Sequence, residues 1–262
     1  MSSTRPITSA VAGLAAGLAL AACGGGGGEP ARGDAAGTDP GTGSLPQGSE
    51  PVKLDPADFT TEIDNPYWPM TPGSRWVYKE GDPEGTREKV VVEVTRRTKR
   101  IANGVEARVV RDTVTDGGVP VEITDDWYAQ DREGNIWYLG ERTTEYENGK
   151  PTTTEGSFEA GVDGAQAGIA MPANPRPGMS YRQEYYAGEA EDRAAVITVG
   201  EERVEVPFGY FAKDVLMTRD LVPTEPHVQE LKFYAPGVGP LLSMHTDGPG
   251  GRAALVRYTE GR

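Results

Sequence analysis

The sequence predicts an all-β, helix-poor domain built as a single antiparallel meander that is strongly curved or barrel-like. Two observations carry this prediction. Short runs rich in Val, Thr, Tyr and Trp follow one another through the second two thirds of the chain, and turn signals separate them. The connections between most runs are too short for crossovers, so neighbouring strands should be antiparallel.

The predicted strands follow in order along the chain. Asn103-Gly104, the strongest two-residue hairpin signal, separates the first two, and Asp116-Gly117-Gly118 separates the second from the third. Residues 160–178 are rich in Gly, Ala and Pro and are predicted as a long internal loop. Helix signals are weak, with one or two turns predicted at most at 210–218. The strand runs are 90–98, 105–114, 121–130, 136–146, 152–158, 180–187, 194–199, 203–206, 215–221, 229–235, 240–245 and 253–259.

The third and fourth strands form a hairpin whose register can be derived from its turn. Gly134 suits the left-handed position of a type I turn with a G1 bulge, which pairs Asp131 with Asn135. Both side chains have a sufficient role as turn residues, which we favour over calcium binding. The predicted core face carries Trp127 opposite Leu139 and Ala129 opposite Trp137. The other face, predicted to meet solvent or to line a cleft, carries Asp126, Gln130 and Tyr128 opposite Tyr138.

The amino terminus has the anatomy of an export signal. An apolar run from about residue 10 to residue 22 follows a single positive side chain, Arg5, and is too short to span a bilayer as a helix. Leu20-Ala21-Ala22-Cys23 ends this run and resembles a bacterial lipobox, which implies that Cys23 becomes the lipid-modified first residue of the mature protein. Cys23 is the only cysteine, and five glycines that cannot continue a helix follow it. A plain secretory signal and a buried amino-terminal helix are the alternatives.

The chain divides into three parts. Residues 1–22 are predicted as a lipoprotein signal peptide, residues 23–52 as the lipidated cysteine with a flexible linker, and residues 53–262 as the β-rich extracytoplasmic domain. The stretch 24–52 holds ten glycines, four prolines and no aromatic residue. It cannot bury enough apolar surface to offset its chain entropy. A flexible coil of this length spans roughly 30 Å and would hold the domain clear of the headgroups.

The chain is acidic, with 40 Asp and Glu residues against 26 Lys and Arg residues and a formal charge of −14. Phosphate backbones repel such a chain, so nucleic acid is not an expected partner. Anionic lipid headgroups repel it as well, so we expect membrane contact through the covalent anchor rather than through a basic face. We expect a monomer that uses no cofactor.

Motifs for catalysis and metal binding are missing from the sequence, so no catalytic residue or metal ligand is assigned and an enzyme is not expected. A zinc site needs three or four ligands, and the two histidines are His227 and His245. A turn at 236–239 would place His245 near Glu230 instead of near His227. No serine lies in a G-x-S-x-G elbow. Asp125 and Asp126 are neighbours in a strand and point to opposite faces, so they cannot act as one dyad.

Aromatic residues are the candidates for a binding site. Adjacent aromatic residues in a strand place one ring on each face, so the core of a single-layer sheet does not need all of them. A concave face carrying Tyr128, Tyr138, Asp126 and Tyr185 is the predicted ligand-binding site. The alternative is that a second layer or the long loop buries these rings, because aromatic side chains dominate most cores.

Several segments together resemble an uncharacterised family of bacterial exported, β-rich lipoproteins. The resemblance spans nearly all of residues 60–245 and implies an envelope location and a mostly antiparallel β fold, without catalytic residues to carry over. Its motif glycines and prolines act as turn constraints. The segments are Asn65-Pro66-Tyr67-Trp68-Pro69, Pro72-Gly73-Ser74-Arg75-Trp76-Val77-Tyr78, Asp126-Trp127-Tyr128-Ala129-Gln130-Asp131, Gly134-Asn135-Ile136-Trp137-Tyr138, Met171-Pro172-Ala173-Asn174-Pro175, Val206-Pro207-Phe208-Gly209-Tyr210-Phe211 and Tyr234-Ala235-Pro236-Gly237-Val238-Gly239.

These observations favour a lipid-anchored binding or structural module on the extracytoplasmic side of a bacterial membrane. Its partner would be an unidentified small molecule, lipid or envelope protein. A carrier of acyl chains inside the curved sheet is a second hypothesis, which an uncharged, enclosed cavity would single out. A carboxylate-based hydrolase of envelope glycans is a third, which two acids facing each other across a cleft would favour.

Overall fold

The structure is a computed structural model that describes residues 45–81, 85, 87–223, 229–246 and 251–262. The predicted signal peptide, Cys23 and His227 lie outside the described residues. Within the described part of the chain the regular structure is one 3₁₀ turn and a series of strands, which confirms the predicted all-β class. The 3₁₀ turn is Pro56–Asp58, and the strands are β1 (Phe59–Thr60), β2 (Arg75–Gly81), β3 (Arg87–Arg100), β4 (Glu106–Asp116), β5 (Val119–Asp131), β6 (Ile136–Glu147), β7 (Lys150–Thr153), β8 (Phe158–Glu159), β9 (Gln166–Met171), β10 (Ser180–Arg182), β11 (Glu184–Tyr185), β12 (Arg193–Val199), β13 (Val204–Val206), β14 (Gly209–Phe211), β15 (Leu216–Leu221), β16 (Gln229–Ala235), β17 (Gly239–His245) and β18 (Arg252–Thr259).

The strands form one large antiparallel sheet, which confirms the predicted curved, barrel-like meander. The order along it is β10-β12-β15-β16-β17-β18-β2-β3-β4-β5-β6-β9-β11, while β1, β7 and β8 add short pairings to β5 and β6. The first and last strands of this order, β10 and β11, belong to one continuous segment, residues 180–185. The sheet therefore returns to itself and is nearly closed into a barrel. The hairpin of β13 and β14 stands apart as a two-stranded sheet.

A buried arginine stabilises the line where the sheet closes. Arg182 lies in the closing segment and is 1% exposed. Its Nε and Nη2 atoms donate hydrogen bonds to the carbonyl oxygen of Ala167 in β9, at 3.2 and 2.7 Å. The backbone of the same segment pairs with β12 on its other side, where Tyr181 lies opposite Ala194. Side-chain and backbone hydrogen bonds therefore join the two ends of the sheet.

The last residues of the predicted linker lie against this closing line. The Arg182 backbone nitrogen donates to the carbonyl oxygen of Pro46 at 2.6 Å. Nη1 of the same side chain donates to the carbonyl oxygens of Gly48 and Glu50, the latter at 2.9 Å. Residues 45–52, which the composition places in the linker, are thus hydrogen-bonded to the barrel. Leu45 and Val52 of this segment also pack against the core clusters. Composition misses the contacts because the surrounding glycines and prolines dominate the stretch.

The β5–β6 hairpin forms around the predicted turn. The Asp131 backbone nitrogen donates to the Asn135 carbonyl oxygen at 3.0 Å, and Gly134 has a φ of 95°. Tyr128 lies opposite Tyr138, as predicted. The Asp131 carboxylate accepts hydrogen bonds from the backbone nitrogens of Glu133 and Asn135, both at 2.9 Å, which is the predicted turn role.

The pairing becomes irregular at the next position. The structure pairs Asp126 with Glu141, so Trp127 faces both Leu139 and Gly140 instead of Leu139 alone. A bulge in β6 next to Gly140, whose φ is 134°, adds the extra residue. A bulge shifts pairing by one residue, and only Gly adopts this backbone conformation without strain.

Two further predictions require correction. The predicted loop 160–178 contains β9, whose residues between Ala167 and Met171 are all buried. A strand buried on both faces does not alternate between polar and apolar residues. The small residues of β9 therefore predict a loop where the structure has a strand. The predicted helical turns at 210–218 are absent from the structure, which places the end of β14 and the start of β15 there.

Two clusters of apolar side chains form the core, one on each face of the sheet. The larger cluster takes residues from strands all around the sheet and therefore fills the inside of the barrel. The smaller one covers the outer face of β4–β6 and holds Trp127, Ala129 and Leu139, as predicted for that face. Large rings of the inner cluster are Trp68, Trp76, Tyr78, Tyr128, Tyr138, Tyr181, Phe233 and Tyr234.

Candidate functional site

Three of the four predicted ligand-binding residues lie together inside the barrel. The rings of Tyr128 and Tyr138 stack with their centroids 5.0 Å apart. The Tyr138 hydroxyl donates a hydrogen bond to Asp126 Oδ1 at 2.9 Å. All three side chains are buried, so they contribute to the core and do not line an open cleft. Tyr185 does not join them, since it lies half-buried in β11 opposite Gln166.

Asp126 belongs to a set of five buried acids, which we call the interior carboxyl cluster. Cross-strand pairing places Asp126 beside Glu141. The Thr143 hydroxyl donates to Glu141 Oε2 at 3.2 Å. Both carboxyl oxygens of Glu184 are buried and have no hydrogen-bond partner among the described residues. The members of the cluster are Asp112, Glu122, Asp126, Glu141 and Glu184.

Burial and mutual repulsion raise the pKa of every member of this cluster. Burial is the largest cause for each, because a carboxylate loses its hydration in the interior. Repulsion from nearby carboxylates adds to it. The pKa of Asp126 rises to about 7, that of Glu122 rises to about 8, and those of Asp112, Glu141 and Glu184 rise well above the ordinary carboxyl value. The cluster is therefore largely protonated at neutral pH.

A second polar network inside the barrel is built around a lysine. The Lys232 Nζ atom lies 2.8 Å from Asp220 Oδ2 and 3.1 Å from Glu230 Oε2. Although burial opposes the charged form, these carboxylates hold the pKa of Lys232 well above its ordinary value. The Ser243 hydroxyl also donates to Glu230. His245 lies opposite Glu230, as predicted.

The binding-sized feature nearest to the predicted residues lies on the outer face of the barrel and reaches inward to Glu141 of the interior carboxyl cluster. A cavity of about 670 Å³, here called the outer cavity, lies between the outer face of β3–β6 and the segment 157–165. Its aromatic side chains are Trp127, Phe158 and Tyr186. The Lys99 Nζ atom lies 3.9 Å from the Trp127 ring centroid and 2.6 Å from Glu159 Oε2. Aromatic surface and both signs of charge therefore meet in one cavity.

Asp125 organises the cationic edge of the outer cavity. Its two oxygens accept hydrogen bonds from Arg97 at 2.8 and 3.2 Å and from Arg111 at 2.8 and 2.9 Å. Arg142 adds a further bond at 3.3 Å. Although burial opposes its ionisation, the hydrogen bonds from Arg111 and Arg97 hold the pKa of Asp125 below its ordinary value. Asp125 and Asp126 thus serve opposite faces of β5, as predicted.

Sequence reasoning missed the outer cavity because its parts come from distant strands. Arg97 and Arg111 converge on Asp125 only once β3, β4 and β5 are paired in register. The spacing of these residues within their own strands does not indicate that their side chains meet. The one available signal is Trp127, which the hairpin assigns to the core face and which in the structure also lines the outer cavity.

Other functional devices are not found in the described part of the chain. No set of three His, Cys, Asp or Glu residues within it could hold a metal ion. No helix within it is long and apolar enough to cross a membrane. The outer cavity contains Ser157, but its hydroxyl bonds the Thr143 backbone and no histidine is among the lining residues.

Comparisons with known proteins yield distant structural similarities. No family model matches the chain, and no curated protein is similar to it. A Bacteroides fragilis protein described as exported, with a YmcC-like fold, is 16% identical at a TM-score of 0.43, over 74% of this chain and 99% of its own. A Parabacteroides distasonis protein described as a lipoprotein is 15% identical at a TM-score of 0.39, over 75% and 100%. A β-barrel-like protein of the domain of unknown function DUF1849 from Brucella abortus is 14% identical at a TM-score of 0.36, over 72% and 98%.

Proposed function

We propose that this protein is a lipid-anchored binding protein of the bacterial cell envelope and that its outer cavity binds an uncharged, polar ligand of the saccharide class. The outer cavity carries the proposal. Its volume of about 670 Å³ falls within the range of small-molecule sites, and its lining combines aromatic side chains with polar groups that could orient a ligand. The envelope location rests on the lipobox resemblance at Cys23.

The charge of the outer cavity favours a neutral ligand. Three cations line it, Arg97, Lys99 and Arg142. Lys99 is paired with Glu159, and both arginines are paired with Asp125. The acids Asp163 and Glu141 also line the cavity, but burial and repulsion from Asp126 raise the pKa of Glu141 well above the ordinary value. The cavity is therefore close to neutral, and a strongly charged ligand gains little there.

A saccharide suits both kinds of surface in the cavity. The apolar faces of sugar rings can pack against Trp127, Phe158 and Tyr186, while hydroxyl groups can exchange hydrogen bonds with the charged rim. An acyl chain lacks groups for that rim. The interior of the barrel does not suit an acyl chain either, because the interior carboxyl cluster occupies its inner face. These features favour glycan binding over the acyl-carrier hypothesis.

A blocking substitution tests the ligand site. Val162 lines the outer cavity and is 40% exposed, so Val162→Trp should fill the cavity without disturbing the core. We expect glycan binding, measured by calorimetric titration against a panel of envelope oligosaccharides, to weaken at least about tenfold, which corresponds to about 1.4 kcal/mol. Val119→Trp, at the exposed first residue of β5 and outside the cavity, is the matched control. Absence of binding to every glycan, or equal loss in both variants, would refute the proposal.

The lipid anchor is tested separately at Cys23. Cells that express the full-length chain should incorporate labelled palmitate into it, and the protein should sediment with membranes. Cys23→Ser should abolish labelling and release the protein from membranes washed at high salt, because no second cysteine can accept an acyl chain. Persistent labelling of the variant, or its retention by membranes at high salt, would contradict the anchor, without bearing on the ligand of the outer cavity.

A second candidate function is supported by one specific observation. Two acids that line the outer cavity have pKa values shifted in opposite directions. The pKa of Glu141 is raised and the pKa of Asp125 is lowered. Such pairs occur in glycoside hydrolases, where one acid donates a proton and the other acts as a carboxylate. The Asp125 oxygens are, however, already saturated by arginines, which favours binding over hydrolysis. Release of reducing ends that disappears in Glu141→Gln would favour the hydrolase.

A further inference from the structure

A second groove, on the other side of the barrel, has a different character. It encloses about 1100 Å³ along β18, β2 and β3. We propose that this basic groove, together with the exposed aromatic hairpin beside it, docks the domain onto an anionic phospholipid bilayer. The proposal adds a second membrane contact to the lipid anchor and rests on the envelope location proposed above. Six cations line the groove: Arg75, Lys79, Arg87, Lys89, Arg252 and Arg257.

Strand register concentrates these cations. Lys79 in β2 lies directly opposite Lys89 in β3. In the next row, Gly81 lies between Arg252 of β18 and Arg87 of β3. Like charges directly opposite each other destabilise a sheet. A pair of facing lysines flanked by two arginines is therefore unfavourable for folding, and an external anion would relieve the repulsion.

The described lining of the groove carries more positive than negative side chains. None of the six forms an ion pair with a residue that the structure describes, whereas Arg97, Arg111 and Arg142 all pair with Asp125. The acids among the described lining residues are Glu80 and Glu88, so the groove carries an excess of four positive charges. The groove has this positive excess although the formal charge of the whole chain is −14. The protein is thus strongly polarised, and a negative surface would orient it with the groove inward.

An aromatic hairpin distinguishes a bilayer from a soluble polyanion. β13 and β14 are joined at Pro207, which lines the groove, and Phe208. The Phe208 ring packs edge-on against Tyr258 of β18, with centroids 6.3 Å apart, and is 38% exposed. Tyr210 is 64% exposed. Aromatic side chains favour the headgroup layer of a bilayer, and basic side chains favour anionic headgroups. Only a bilayer uses both features at once.

Vesicle binding by a chain without the acyl anchor tests this proposal. The chain from residue 23 onward with Cys23→Ser is mixed with vesicles of phosphatidylglycerol and phosphatidylcholine, or of phosphatidylcholine alone, and sedimented. We expect binding only to the anionic vesicles, and its loss at high salt. Lys79→Glu with Lys89→Glu should lower the partition coefficient at least about 25-fold, from about fivefold for each cation removed. Tyr210→Ser should lower it without any change of charge.

Matched controls separate docking from net charge. Lys53→Glu with Lys150→Glu changes the charge equally at exposed lysines away from the groove, and should retain most of the binding. Equal loss in the two double variants, or no binding to anionic vesicles, would overturn the proposal. Unchanged binding of Tyr210→Ser, with soluble polyphosphate competing fully, would also overturn the bilayer as occupant. Because these chains carry no acyl group, such failures would leave the Cys23 anchor and the outer cavity standing.

Discussion

Lys232 is the residue whose loss should cost the barrel most. It is buried and forms ion pairs with both Asp220 and Glu230. Lys232→Met keeps the length of the side chain but leaves two carboxylates without a cation inside the protein. Removal of one partner from a buried ion pair typically lowers stability by about 3–5 kcal/mol. We expect a loss of that size in the free energy of unfolding, measured by urea denaturation.

A surface lysine provides the comparison. Lys150→Met removes the same charge from an exposed hairpin and should change the free energy of unfolding by less than about 0.5 kcal/mol. A loss below about 1 kcal/mol for Lys232→Met would show that the two carboxyls accept protons or water at little cost.

At the scale of elements, β9 is constrained by its contact with the closing segment. A Cβ atom on Gly168 would overlap the carbonyl group of Gln183. Gly168→Ala should therefore push apart the two strands that close the barrel. Overpacking of this kind typically costs about 1–3 kcal/mol. We expect a loss of at least about 2 kcal/mol in the free energy of unfolding, together with faster hydrogen exchange in residues 180–185.

Another strand glycine is the control for that substitution. A Cβ atom on Gly209 would meet only the Phe211 ring, at 3.6 Å, which is ordinary contact. Gly209→Ala should leave stability nearly unchanged. If the two variants behave alike, close approach at the closing line does not limit the barrel.

The hairpins show which parts of this fold could be predicted from sequence. The β5–β6 turn was predicted correctly because Gly134 and Asp131 encode it locally. β9 was missed because a strand buried on both faces has no alternating pattern. The outer cavity was missed because Asp125 meets its arginines only through the pairing of three strands. Turns can be predicted from neighbouring residues in the sequence. Contacts between side chains of distant strands can be predicted only once the strand register is known.

The whole molecule should be less stable in mild alkali than in mild acid. The pKa values of Asp126 and Glu122 rise from ordinary values of about 4 to about 7 and about 8 in the folded protein. At a pH between the unfolded and the folded pKa values of these two groups, the folded chain therefore binds more protons than the unfolded chain. The free energy of unfolding should fall as the pH rises from about 4 to about 8, by up to about 1.4 kcal/mol per pH unit for each titrating group.

Amide variants identify the source of this slope. Glu122→Gln with Asp126→Asn removes two of the five titrations of the interior carboxyl cluster, so the fall with pH should become less steep, while Asp112, Glu141 and Glu184 maintain part of it. The amide oxygen that the second substitution introduces can still accept the hydrogen bond from the Tyr138 hydroxyl. Glu133→Gln, at an exposed turn, should leave the slope unchanged. Denaturant midpoints are measured across this pH range. A slope in the double variant as steep as that of the unchanged chain would assign the pH dependence to other groups.

Charge distribution is the whole-molecule property that composition predicted least well. The formal charge of −14 led to the expectation that no basic face would contact a membrane. The structure places the five acids of the interior carboxyl cluster, together with Asp220 and Glu230, inside the barrel and six cations around one outer groove. Net charge sums over both locations, so it could not reveal this separation. The expectation follows from the net charge of the chain. A membrane, however, interacts mainly with the charges on the side of the protein that faces it.

The near-closure of the sheet has a consequence for crowding. An open sheet ends in strands whose unpaired amide and carbonyl groups can capture another chain. Here the segment 180–185 pairs on both sides, with β12 and with β9. At this closing segment, within the described residues, the main sheet offers no long free edge to which a neighbour could add a strand. The proposed acyl anchor would concentrate the protein in two dimensions, where neighbours collide often. A barrel joined to itself can tolerate that density and remain the monomer that we expect.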